Sequence, residues 1–149
     1  MAITRNKPVV RMTPAKWVGI AVLALFFIGG GIGHFMYTAD FTAIVPPWMP
    51  YPRETVLATG VLELIFAALL FVPKARQRIG LWIAVYCLAV LPANVYMLQN
   101  NIPMFGYQAP PELLYARLVL QAGVIALAIW STNAKQHLVR YGLSGLFRG

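Results

Sequence analysis

Thr55-Val56-Leu57-Ala58-Thr59-Gly60-Val61-Leu62-Glu63-Leu64-Ile65-Phe66-Ala67-Ala68-Leu69-Leu70-Phe71-Val72 is long and apolar enough to cross a bilayer, yet it carries a carboxylate at its midpoint. An acidic side chain at the centre of a membrane helix costs about 2.5–3.5 kcal/mol on insertion scales. Neutralising or pairing Glu63 would offset that cost. Another apolar block supplies a candidate cation, Arg117. The chain therefore reads as a small membrane bundle built around Glu63 and Arg117.

Composition points the same way. Of 149 residues, 60% are hydrophobic and 11% are charged, where a soluble domain carries about 25% charge. Mean hydropathy is +0.69, and the apolar residues fall in blocks of about 20 rather than in amphipathic stripes. These features predict one integral membrane domain, all-α. The net charge of +8 does not indicate nucleic acid, because the basic residues gather at span ends rather than on one face. Cys87 is the single cysteine. Alone it makes neither an intramolecular disulfide nor a C-x-x-C relay, and it reads as a buried thiol.

Outward from the central stretch, four spans are expected. Residues 1–16 are polar and basic, with Arg5, Lys7, Arg11 and Lys16; residues 17–37 form the first apolar block. That block is too long for a signal peptide and lacks a clear A-x-A site, so it is expected to stay as a transmembrane helix. It closes on Gly29, Gly30, Gly31 and Gly33, followed by His34. The glycines allow a neighbouring helix to approach closely, or they mark a local unwinding. The second span covers 54–72, the third 79–98 and the fourth 112–130. Pro92 in the third removes a backbone hydrogen bond and is expected to kink the helix beside Asn94.

The loops divide into two kinds. Residues 38–53 hold four prolines, which exclude a long helix, together with Phe41, Trp48 and Tyr51. Residues 99–111 hold Phe105 and Tyr107 and no charge. Both are too apolar for ordinary solvated loops and are expected to cap one mouth of the bundle, as an aromatic lid or interfacial anchor. Residues 73–78 form a basic turn, and residues 131–149 a basic tail with Lys135, His137, Arg140 and Arg148 among apolar residues. The tail reads either as an amphipathic segment on an anionic leaflet or as a solvated end. Ten lysines and arginines lie on the side of the termini and the basic turn, against Arg53 alone on the other. Both termini are therefore expected in the cytoplasm.

That orientation places His34, Glu63, Asn94, Arg117 and Gln121 in the outer half of the membrane, by a rise of about 1.5 Å per residue. Arg117 and Gln121 share one helix face, as do Gly60, Glu63 and Ala67. A polar chamber opening outward is the expected product, its centre an ion pair between Glu63 and Arg117. Such a pair either fixes helix register alone or marks a ligand or partner site. No convincing serine–histidine–acid set or phosphate loop accompanies it. His34 and His137 fall on opposite sides of the membrane, so no shared metal or haem is expected.

Taken together, Gly33-His34-Phe35, Phe41 through Val45-Pro46 to Met49-Pro50, Thr59-Gly60 with Glu63, the turn from Pro73, Leu91-Pro92-Ala93-Asn94, Arg117 and Gln121 resemble the DoxX-like family of small four-helix membrane proteins. The likeness spans residues 17–130. It implies a four-helix bundle in an inner membrane, of bacterial type. Some members of that family are associated with thiol or sulfur redox chemistry and quinone reduction; another branch, the nicotinic acetylcholine receptor chaperone, assists receptor assembly. The lone Cys87 departs from a thiol-redox pattern. Two functions follow as expectations. The favoured one is a non-catalytic helper, a chaperone or partner-binding protein whose glycine face or chamber engages a membrane-protein client, lipid or a second copy in a homodimer. The other is a quinone- or lipophile-binding subunit that works with a redox partner.

Overall fold

The computed structural model describes residues 11–143. Arg5, Lys7 and Arg148, part of the basic ends, lie outside the described residues. The described residues form six helices rather than four: α1 Pro14–Met36, α2 Thr38–Ala43, α3 Pro52–Leu69, α4 Arg76–Asn100, α5 Pro111–Ser131 and α6 Ala134–Tyr141. Four are long and correspond to the expected spans. The added two are short. α2 fits into the proline-rich segment because Thr38–Ala43 ends before the first proline, Pro46. α6 takes up the basic residues after the last span.

Local chemistry sets the ends of the long helices. Thr13 caps α1, its hydroxyl accepting the Lys16 amide at 3.4 Å, and Pro14 pre-sets the first turn. Pro52 and Pro111 open α3 and α5 in the same way, each with an acid, Glu54 or Glu112, in the first turn, where the helix dipole favours it. Asn101 closes α4 in the left-handed conformation, φ 50°. α1 runs unbroken through Gly29–Gly33, and α4 stays helical through Pro92. The glycines thus serve packing, not unwinding.

α1, α4 and α5 are long and apolar enough to cross a membrane, which marks an integral membrane protein. α3 falls short of them in apolarity because it carries Arg53, Glu54 and Glu63. α1 packs extensively on α3 and less so on α5; α4 packs on α5; α3 and α4 scarcely touch. The α1–α3 crossing is close because neither partner has a side chain there. A Cβ on Gly31 would meet the Gly60 carbonyl at 2.9 Å, and one on Gly60 would meet the Gly31 carbonyl at 3.2 Å.

Two apolar clusters fill the bundle. The larger includes Ile20, Leu23, Phe27, Phe66, Leu70, Ile83, Tyr86, Val124 and Ala128. The smaller, at the other end, is Ile44, Met97, Met104 and Leu114. Between them the poor fit of α3 to α4 leaves a cavity.

The end opposite the smaller cluster is tied by polar contacts. Buried Arg76 donates from Nε to the Leu70 carbonyl at 2.8 Å and lies over the Trp17 ring at 4.5 Å. Lys16 Nζ bonds Asn133 Oδ1. Thr132 donates to the Ala128 carbonyl at 2.6 Å and packs onto Gly80, where any Cβ would collide with it. Arg76 was read as one charge of a basic turn; it is instead the first residue of α4 and a strut between three helices.

Candidate functional site

The cavity encloses about 520 Å³ and is lined mainly by apolar side chains of α1, α3, α4, α5 and the segment after α2. That volume falls in the range of small-molecule sites, roughly 300–1,000 Å³. Phe27 and Tyr86 line it and are backed by Phe66, the three rings in edge-to-face contacts with centroids 5.5 to 6.3 Å apart. Leu62 on α3 and Ala89 on α4, both lining the cavity, are exposed along the loose α3–α4 seam.

His34, Glu63, Asn94, Arg117 and Gln121 all border this cavity. They form two separate polar groups. In the first, Glu63 Oε1 accepts a 2.6 Å hydrogen bond from the Tyr86 hydroxyl and faces His34 Nε2 at 3.9 Å. His34 Nδ1 lies 2.8 Å from the Val56 carbonyl, which can only accept, so Nδ1 carries a proton and Nε2 is turned to the carboxylate. Thr59 adds its hydroxyl 3.0 Å from Nδ1. Glu63 Oε2 is buried against Gly30 and, among the described residues, has no hydrogen-bond partner. Glycine is needed at 30 because a Cβ would occupy the place of that oxygen.

The second group lies on α4 and α5. Arg117 Nη2 donates to Asn94 Oδ1 at 3.2 Å and Nη1 contacts Met104 Sδ at 3.5 Å. Asn94 Nδ2 donates to Gln121 Oε1 at 2.8 Å, and Gln121 Nε2 donates to the Cys87 carbonyl. The expected ion pair does not form: among the described residues, the basic side chain nearest Glu63 is the His34 imidazole, at 3.9 Å, and Arg117 binds neutral groups. The reason is axial and rotational. Asn94 and Tyr86, the α4 anchors of the two groups, are eight residues apart, about 12 Å along a helix. Helix rotation then turns Glu63 toward α1 and α4, and Arg117 toward the outer loop.

The aromatic cover also differs from the one expected. Phe41 stacks on His34 with centroids 4.1 Å apart, and Ile44, Val45, Pro46 and Met49 complete that wall. Phe105 supports Phe41 from outside at 6.1 Å. Trp48, Tyr51 and Tyr107 are 68%, 74% and 58% exposed and cover nothing; their position suits an interface with lipid headgroups. The second loop is a tight turn. Met104 and Tyr107 exchange backbone hydrogen bonds of 3.0 Å around Phe105 and Gly106, both at positive φ, 56° and 71°. Such turns favour glycine or asparagine at both central positions, and the Asp40 carboxylate helps hold Phe105 there by accepting its amide at 3.0 Å. The turn buries Met104, which reaches Arg117.

Of the expected packing glycines, Gly30, Gly31 and Gly60 lie in the α1–α3 contact, a Cβ on Gly33 would meet the Phe41 ring at 3.6 Å, and Gly29 faces open space. Tyr86, Thr59 and Met104 were missed from the sequence. A signal for Tyr86 was available: a phenol buried within a span must find an acceptor.

A family model described as "Domain of unknown function (DUF8561)" matches residues 23–132, a stretch that contains every residue lining the cavity. The chain belongs to that family. No curated protein and no solved structure matches it.

Proposed function

We propose that this integral membrane protein, a member of that family, binds a lipophilic small molecule with a polar head in the cavity between its four long helices. The observation that carries the reading is the cavity itself, apolar over most of its wall and bordered by two hydrogen-bonding groups. The helper reading rested partly on a glycine face free to receive a partner. Gly30, Gly31 and Gly60 meet neighbours inside the bundle instead, and this shifts the balance toward ligand binding. On this reading all four long helices span the membrane, both termini are cytoplasmic, and the ligand enters from the lipid phase along the α3–α4 seam. The resemblance to DoxX-like proteins supports the same arrangement through its ordered motifs. A quinone is one lipophile of this kind, and redox use of it would require an electron-donating partner.

The test is gentle release of the protein from its own membrane, native mass spectrometry, and solvent extraction of the same sample. One lipophile near one copy per chain is expected, and it should disappear in Val124→Trp, which fills the cavity. Bulk phospholipid alone, unchanged by that substitution, would overturn the reading and return attention to a helper function.

A further inference from the structure

We infer that the ligand of this cavity is an acidic amphiphile, an alkyl chain whose anionic head is held by Arg117. The inference rests on the lipophile-binding reading and narrows it. Among the described residues, Arg117 is the one lysine or arginine on the cavity wall. Its guanidinium is half-buried and meets only Asn94 Oδ1 and Met104 Sδ. No acidic side chain of the described residues lies within ion-pair distance of it. Arginine keeps its charge under nearly all conditions. A thioether and an amide oxygen offer it hydrogen bonding without neutralisation, and among the described residues it has no anionic partner, which suits it to a planar, two-oxygen acceptor.

Charge also fixes which way the ligand lies. The other polar group offers an acid head no lysine or arginine, its Glu63 Oε1 is already engaged by the Tyr86 hydroxyl, and it stands about 12 Å farther along α4. The acid head therefore sits at Arg117 and Asn94, and the chain runs toward Phe27, Leu62 and Val90. A quinone supplies acceptors but no charge, so it would leave the guanidinium without a counter-ion.

The experiment is equilibrium binding of radiolabelled palmitate to the full chain in mild detergent, with hexadecanol and hexadecyl phosphate as competitors. Palmitate should bind about tenfold or more tighter than hexadecanol, the scale of a charge-assisted hydrogen-bond pair. In Arg117→Gln that preference should collapse to about twofold or less, while Arg117→Lys keeps part of it. If Arg117→Gln does not fold, the acid-to-alcohol ratio of the unaltered chain decides alone. Equal affinity for palmitate and hexadecanol overturns the acidic head yet leaves the lipophile site standing. Binding of neither overturns both. Tighter binding of hexadecyl phosphate keeps the acidic head and assigns it to a phosphate, as in a lipid headgroup, rather than a carboxylate.

Discussion

Glu63 shows how a helix bundle can bury a carboxyl group without an arginine. One oxygen accepts a hydrogen bond from the Tyr86 hydroxyl at 2.6 Å, in the range of short, strong bonds. The imidazole of His34 lies beside it at 3.9 Å, and the second oxygen rests against bare backbone at Gly30. Tyr86 is also the principal polar link across the loose α3–α4 seam. Tyr86→Phe should therefore cost about 1–3 kcal/mol, the range for leaving a buried acceptor without its donor. In a Glu63→Leu background the same change should be nearly neutral, because no acceptor is left behind. Denaturant titration in mixed micelles measures both, and equal losses in the two backgrounds would show that the hydrogen bond is not what stabilises the seam. The position of Glu63 was evident from sequence, since a charge inside an apolar block stands out. Its partner was not. Tyrosine is ordinary in membrane helices, and the rotation that brings Tyr86 rather than Arg117 to Glu63 depends on how four helices settle against one another.

At the scale of elements, the glycines of α1 differ sharply in what surrounds them. Gly31 meets the backbone of Gly60, which cannot yield, so Gly31→Ala should destabilise the bundle by about 1–3 kcal/mol, as overpacking does. Gly30 meets the end of the Glu63 side chain, which can move. Gly30→Ala should fold yet weaken binding of the proposed lipophile, because the carboxylate displaced from Tyr86 swings into the cavity that both residues line. Gly29 faces open space, and Gly29→Ala should change neither. Melting curves with ligand extraction for the three variants check the order, and a large loss in Gly29→Ala would contradict it. The loop elements supply another test. Asp40→Ala removes the acceptor of the Phe105 amide, so hydrogen exchange at residues 104–107 should accelerate while the long helices keep their protection. Unchanged exchange would mean that the turn holds itself. The four long helices were legible because an apolar block of about 20 residues has few alternatives in a bilayer. α2 was not, since it rests on six residues that carry no apolar period. The place of Met104, packed with Ile44 and touching Arg117, was equally hidden, because it arises where two loops meet.

For the whole molecule, the open question of physics is whether α3 crosses the membrane despite Arg53, Glu54 and Glu63. Arg76, at the start of α4, bonds the Leu70 carbonyl just past the end of α3 and covers Trp17 at the start of α1. Lys16 reaches Asn133, just past α5. The starts of α1 and α4 thus share one end of the bundle with the ends of α3 and α5. If α1 spans, α3 must return across the same thickness beside it, its central carboxylate sheltered inside the bundle. Arg53 and Glu54, in its first turn, then fall at the outer boundary, where charge is tolerated. Single-cysteine variants in a Cys87→Ser background make this measurable with a membrane-impermeant maleimide. Trp48→Cys should be labelled in intact cells, whereas Lys74→Cys and Lys135→Cys should react only after the membrane is opened. Labelling of Trp48→Cys and Lys74→Cys from the same side would place α3 on the surface, leaving three spans. The cavity would then lose a wall at the depth where the ligand must lie, so this result would remove the lipophile site along with the fourth span.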